Sequence, residues 1–369
     1  MRIGILLRSM DDPGGIGVYT RNLTQGLIEL GSGHQFVLFY QDPAKMGHFA
    51  DEGHVTERLV TAGNKILWDQ VAIPRACRQE GIDVLLHPKF TVPLVAPCKT
   101  VMVLHGVGWF LPEFSHYWSF ADRTLARLTM PLYCQRASAM ISVSQITSDV
   151  YNRLFHLPPG KVRTVYSGPA KHFRRVEDRD ALEQVRAKYH LPERFIFSLS
   201  GYDRGDRKNI SGIFQAFARH HGKTPHKLVI GGRGCETFRT LYHLPEDGYG
   251  RDILFPGWMD QADLPAIYSL ADAFLYPSNL EAFPVPVIEA MTCGTPVITS
   301  DANGLKEIAG EAALLVNPKD PQDIAGAVHR VLSDAELRAS LSAKGLARVA
   351  MFNWDRCARE VLTILESLG

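Results

Sequence analysis

Short apolar runs separated by longer stretches of helical period are the feature that most restricts how this chain can fold. Residues 3–7, 36–40, 84–87, 100–105 and 139–144 each read as a buried strand, and several lead into a helix pattern, the first running to about Leu30. Strands alternating with helices imply crossover units and a parallel sheet covered on both faces. The pattern then restarts. Residues 195–200, 227–232, 253–255, 273–276, 296–300 and 314–316 form a second strand series, and Ile210, Ile213, Phe214 and Phe217 line one face of a helix over 209–220. Between the two series lies a polar, charge-rich stretch, 171–188, which suits a linker.

A length of 369 residues fits about two domains. The reading is α/β, with two doubly wound units. The first covers 1–172, the second 190–350, and 173–189 is the linker region. In open parallel sheets ligands bind beyond the carboxyl ends of the strands. Two such sheets facing each other would make a cleft lined by loops from both.

Net charge is +1, from 40 basic and 39 acidic residues, and this balance argues against a nucleic-acid partner. The six cysteines form no CxxC pair and read as free, mostly buried thiols. The first apolar run ends at Arg8, too short for the core of a signal peptide. No stretch approaches the ~20 apolar residues of a membrane span. The expectation is a cytoplasmic protein, with peripheral membrane contact and oligomeric state left open.

Three segments carry chemistry. Gly14-Gly15-Ile16-Gly17 follows the first strand and opens a helix, so backbone amides can approach an anion there. The GxGxxG dinucleotide fingerprint is absent, which lowers the odds of an NAD enzyme. After the first strand of the second half, Arg204, Arg207 and Lys208 stand just before a helix. Cations at a helix N-terminus are disfavoured unless an anion lies between them, so a phosphate site is the reading, against a solvated charged loop. The third segment, 276–297, presents Glu281 on a loop and Glu289 on the helix that the loop feeds. Two carboxylates so placed can both face one pocket and accept hydrogen bonds from vicinal hydroxyls. The single DxD string, Asp178-Arg179-Asp180, lies in the charged linker, so neither a metal nor another cofactor is expected.

The run EAFPVPVIEAMTCGTPV (residues 281–297) resembles the E-x7-E signature of the family 4 retaining glycosyltransferases, the glycosyl-transferase group 1 class with the GT-B fold. GGIGVYTRNL, YDRGDRKNI and GLKEIAGEAALLVNPKD match the family in character, so the likeness covers nearly the whole chain. It implies two Rossmann-like domains facing across a cleft. The acceptor lies mostly on the first and a nucleotide-sugar donor, itself a substrate, mostly on the second. The last helix, 353–369, crosses back to the first domain.

Residue by residue, the resemblance gives Glu281 the hydroxyls of the donor sugar and Glu289 the nucleotide ribose. Lys208 takes the donor phosphates with an arginine, Arg204 being favoured and Arg207 its rival. His105, at a strand end, sits by the donor sugar. Gly15 and Gly17 assist at the phosphates, and Phe283, Pro284 and Val285 border the donor. Two departures stand out. Gly106 follows His105 where the family often has aspartate, and Pro284 replaces a glycine and removes an amide.

The implied activity is retaining transfer of a hexose from a GDP- or UDP-linked donor, such as GDP-mannose or UDP-glucose. The acceptor would be a hydroxyl of a glycan, a lipid-linked glycan or a small molecule. The aromatic and basic run 109–136 belongs to the acceptor half and suits a glycan or an anionic membrane surface, with ordinary core and solvated helix as the alternative. A non-catalytic sugar-nucleotide binder and a nucleotide-sugar epimerase on the same fold are the rival readings.

Overall fold

The structure is a computed structural model that describes the whole chain except residues 11–13, 32, 50–52 and 202–205. The chain falls into two compact units: Met1–Ser167 together with Asn353–Gly369, and Gly168–Phe352.

In the first unit the described residues form seven parallel strands: β1 (Arg2–Leu6), β2 (Gln35–Tyr40), β3 (Val55–Leu59), β4 (Val84–His87), β5 (Lys99–Leu104), β6 (Ala139–Ser142) and β7 (Val162–Thr164). Their order is β3-β2-β1-β4-β5-β6-β7. The central strands are buried along nearly their whole length, as a parallel sheet with two covered faces requires. β3 and β7 are additions to the sequence reading. Both are edge strands with polar, partly exposed residues, VTERL and VRT, so neither shows a buried apolar run.

The last helix, Trp354–Glu366, belongs to this first unit and lies against the helix Gly15–Leu30. Trp354 meets Tyr19 edge-on at 5.5 Å. A Cβ on Gly26 would come within 2.9 Å of the Ala358 Cβ, so the two helices approach closely because a glycine faces an alanine.

The second unit carries six described strands: β8 (Phe195–Leu199), β9 (Lys227–Gly231), β10 (Ile253–Gly257), β11 (Ala273–Tyr276), β12 (Val297–Ser300) and β13 (Ala313–Val316). They are parallel, in the order β10-β9-β8-β11-β12-β13. The stretch expected as a linker is built into this unit instead. Phe173 and Tyr189 are in its core, and the helix Arg179–Lys188 between them packs on Leu264–Leu270. Its charges lie outward: Lys188 donates to Asp260 at 2.6 Å and to Asp263 at 2.7 Å. Asp178, first of the DxD string, caps that helix by accepting from the Asp180 and Ala181 amides.

Each sheet reverses direction of winding once, between β1 and β4 in the first and between β8 and β11 in the second. Such switch points open a crevice at the carboxyl ends of the two strands. All six cysteines are unpaired, five of them buried. Among the described residues no helix is long and apolar enough to cross a membrane.

Candidate active site

The charged residues singled out in the second half of the sequence meet at the β8–β11 switch point. Arg204 lies outside the described residues. Asp206 and Asn209 take left-handed backbone, φ 58° and 59°, a conformation that aspartate and asparagine tolerate better than most side chains. The turn lets Asp206 accept from the Ile210 amide at 2.5 Å and the Ser211 amide at 3.2 Å. The start of the helix Ile210–His220 is therefore faced by a carboxylate from the protein itself. Asn209 donates to the carbonyls of Pro277 and Pro318, at 2.9 and 2.7 Å, and ties this loop to those after β11 and β13. Arg207 contributes its own carbonyl to the same junction, accepting from Ser278 Oγ at 3.0 Å and the Asn279 amide at 2.9 Å.

Arg207 and Lys208 converge on Glu281. Arg207 Nη1 lies 3.0 Å from Glu281 Oε1 and donates to the Leu280 carbonyl at 2.9 Å. Lys208 Nζ bridges the Tyr276 hydroxyl and the same Oε1. Tyr276 donates to it at 2.9 Å and Ser278 at 3.3 Å. Burial pushes the Glu281 carboxyl up, but Arg207 and Lys208 outweigh it and bring it down to about 2. It is a permanent carboxylate at working pH. Among the described residues these four contacts all use Oε1, so one oxygen is committed to the protein and Oε2 is the one placed to accept from a ligand hydroxyl.

The carbonyl of Glu281 is fixed from behind by the Gly304 amide, which donates to it at 3.0 Å. In the sequence Gly304 reads only as the first residue of a family-like segment, GLKEIAGEAALLVNPKD, because nothing in a glycine near a helix start announces a contact. A Cβ there would stand 2.1 Å from the Ala282 oxygen and 2.7 Å from the Glu281 oxygen, both backbone. Gly304→Ala is expected to push the Glu281 loop outward and cost about 1–3 kcal/mol, read as a lower midpoint in urea unfolding, together with weaker nucleotide-sugar binding.

Glu289 sits in the helix Val285–Thr292 and is buried, not turned to solvent. The Tyr268 hydroxyl donates to its Oε2 at 3.2 Å. Burial raises the carboxyl to about 7, which one neutral hydrogen bond does little to offset. The charge of Glu281, after burial, and that of Glu289 more weakly both hold up the Tyr276 hydroxyl, so the two carboxylates share this ring as a neighbour.

The helix start offers few amides. Pro284 and Pro286 have none, and those of Val285 and Val287 are taken by the Phe283 and Pro284 carbonyls at 3.0 Å. Phe283 packs edge-on against Phe352 at 6.0 Å. Residues 283–285 can therefore border a ligand by shape, with little backbone donation.

In the first unit, Gly15 and Gly17 open the helix Gly15–Leu30 after a left-handed Gly14, φ 87°. Among the described residues, a Cβ on Gly14 or Gly15 would meet nothing within 4 Å. His105 follows β5, bonds through Nε2 to the Pro88 carbonyl at 2.9 Å, and is met edge-on by Tyr19 and Phe90. A polar cluster unmarked in the sequence sits at the β1–β4 switch point. Arg8 donates to Asp69 at 3.0 Å, Thr91 donates to Asp69 at 3.3 Å, and His87 Nδ1 lies 2.7 Å from the Thr91 carbonyl. Burial, then Arg8, lowers His87 to about 3, so it is neutral.

Residues 13–169 match the family described as Glycosyltransferase Family 4, and residues 182–348 match Glycosyl transferases group 1. The chain is 28% identical over 304 residues to the O-antigen chain mannosyltransferase B of Escherichia coli, covering 77% of this chain and 79% of that one. Its fold is similar to that of a sucrose-phosphate synthase from Thermosynechococcus elongatus, TM-score 0.77 at 23% identity, covering 100% and 99% of the two chains. It is also similar to the Anabaena protein HepE, solved with UDP and glucose, TM-score 0.77 at 17% identity, covering 100% of each. Two family matches running through both units, on two parallel sheets of this topology, show that the chain belongs to the group 1, family 4 glycosyltransferases and has their GT-B fold.

Proposed function

We propose that this glycosyltransferase is a retaining hexosyltransferase, with a nucleoside-diphosphate hexose as donor and a hydroxyl of a glycan or lipid-linked glycan as acceptor. The observation that carries this reading is the carboxylate of Glu281, held ionised by Lys208 and Arg207 at the β8–β11 switch point, with Glu289 on the following helix. GDP-mannose is the first donor to try, because the chain is similar to a mannosyltransferase; UDP-glucose is the second, from the fold neighbour HepE.

In this reading Glu281 Oε2 accepts from the hexose hydroxyls, and Glu289 accepts from the ribose. Lys208 and an arginine, Arg207 or Arg204, face the diphosphate, where negative charge grows as the anomeric C–O bond breaks. The acceptor oxygen forms the new bond on the same face, and its proton leaves with the departing phosphate. An anomeric centre with oxocarbenium character needs no covalent nucleophile. Glu281, held far below neutral pH by two cations, is a hydrogen-bond acceptor and a weak nucleophile. His105 keeps, as a proposal, its place next to the reacting sugar, with Gly15 and Gly17 at the phosphates. Pro284 leaves that position to shape alone.

Slow donor hydrolysis without acceptor tests the reading. Proton NMR of the first sugar released is expected to show the donor's own anomer before mutarotation. Release of the opposite anomer would overturn retention. Binding with no release at all, with or without a panel of acceptors, would make the chain a sugar-nucleotide binder instead.

A further inference from the structure

Two of the six cysteines meet in the first unit. Cys77 lies in the last turn of the helix Ile73–Glu80. Its carbonyl accepts from the Ile82 amide at 3.0 Å, and Gly81, with φ 62°, takes the left-handed turn that ends the helix and leads the chain into β4. Val84 of β4 pairs with Lys99 of β5, and the Lys99 amide donates to the Asp83 carbonyl at 3.1 Å. Cys98, the residue before β5, is thereby brought to the end of that helix. It packs on the core cluster that contains Cys77, Ile82 and Leu85, and the two thiols share a hydrogen bond.

The two sulfurs differ in setting. Cys77 is 1% exposed. Cys98 is half-buried and lines an open cavity of about 480 Å³ with Asp83, Lys99 and Arg136. This cavity is at the amino ends of β4 and β5, the other end of the sheet from the β1–β4 crevice. The hydrogen bond from Cys77, with help from the Arg136 guanidinium, holds the Cys98 thiol below its ordinary range against burial and Asp83. The same bond, and then burial, push Cys77 up. Burial raises Cys134, Cys293 and Cys357 to about 12 and Cys235 to about 11. The thiolate is the attacking form, so Cys98 stands apart from the other five as the reactive thiol.

We propose that Cys98 and Cys77 form an oxidisable dithiol, in which Cys98 attacks a hydroperoxide and Cys77 resolves the product. The Cys98 sulfur bonds to one peroxide oxygen as the O–O bond breaks, and the other oxygen leaves with a proton as water or an alcohol. Cys98 is oxidised to a sulfenic acid and the peroxide is reduced. The Cys77 sulfur then attacks the Cys98 sulfur, the S–O bond breaks, and the hydroxyl leaves with the Cys77 proton as water. The disulfide ties the end of the helix to the start of β5. It brackets β4 and the loop whose Pro88 carbonyl bonds His105. Neither cysteine takes part in the donor reading.

The test exposes the full chain to hydrogen peroxide at neutral pH, alkylates the free thiols, and maps linked peptides by mass spectrometry without reductant. Wild type is expected to lose two of its six free thiols to one Cys77–Cys98 bond within the chain, and to regain both with dithiothreitol. Cys98→Ser is expected to keep all its remaining thiols. Cys77→Ser is expected to stop at the sulfenic acid on Cys98, which dimedone traps. Melting curves check that the variants fold, and the wild-type map decides the question even where one does not. Six free thiols after peroxide overturn the proposal, as does a bond between two chains or through any other cysteine. A dimedone adduct on Cys77 in Cys98→Ser, with none on Cys98 in Cys77→Ser, overturns the assigned order of attack.

Discussion

Lys208→Ala is expected to lower turnover of the nucleotide-sugar donor by about 10²–10³-fold, the usual effect of deleting one group that meets charge developing in a transition state. The protein is expected to stay folded. Lys208 is the group that bridges the Tyr276 hydroxyl and Glu281 Oε1, and it stands before the helix Ile210–His220. Without it Glu281 keeps Arg207 at 3.0 Å but loses one of its two cations. The Glu281 carboxyl then rises from about 2 toward its ordinary range. The sign of the accompanying stability change follows. A carboxyl with a depressed folded-state pKa contributes stability above its unfolded value of about 4.5, and that contribution is lost as pH falls toward 2. The variant should therefore lose most against wild type at neutral pH and converge with it in acid. Lys208→Arg is expected to restore the pH profile of stability better than it restores turnover, because a guanidinium keeps the charge and changes the point of contact. Steady-state rates and urea titrations across pH separate the two effects.

Glu289→Gln is expected to make the free protein more stable and the nucleotide complex weaker. Burial holds the Glu289 carboxyl at about 7 against an ordinary value of 4.5. The folded state therefore retains a proton that the unfolded state gives up, and stability falls as pH rises through that window. The difference corresponds to roughly 3 kcal/mol at pH values above it. Glutamine carries no charge, still accepts from Tyr268, and removes that cost. At pH 8 its melting temperature should exceed that of wild type, and at pH 4 the two should agree. Nucleotide binding moves the other way. A buried carboxylate with one neutral partner gains from two ribose hydroxyls, and hydrogen bonds to a charged group contribute about 1.5–3 kcal/mol each, so affinity should fall by roughly 10–100-fold. Wild-type affinity should also climb with pH until about 7 and then level, and this climb should be absent from the variant. Stabilisation with loss of binding is the pattern of a site that bears a cost for function. A merely structural glutamate would lose both.

The parts of this fold that were legible in the sequence are those where burial writes itself into composition. β4 (VLLH) and β5 (KTVMVL) are covered on both faces and read as apolar runs. β3 and β7 are edge strands, half exposed, with arginine, glutamate and threonine, so they do not. The 173–189 segment misled for a related reason. Its helix is amphipathic and rests on the second unit through few residues, so charge dominates its composition although Phe173 and Tyr189 at its ends are core.

The site was legible as residue types and not as pairings. Arg207 and Lys208 suggested an absent anion at a helix N-terminus. In the folded chain Asp206 takes that position and Glu281 neutralises both cations. Long-range partners of this kind, 73 residues apart for Lys208 and Glu281, leave no mark on local sequence. The contact made by Gly304 and the Arg8–Asp69 pair were invisible for the same reason: each forms only after the sheet has assembled.

Isothermal titration of the full chain with GDP-mannose and UDP-glucose tests the central claim most directly, because both Glu281 and Glu289 are assigned to the donor. One of the two sugars should bind at a single site in wild type, at least tenfold more weakly in Glu289→Gln, and without detectable heat in Lys208→Ala. Binding of equal strength in all three proteins would contradict a donor site at the β8–β11 switch point.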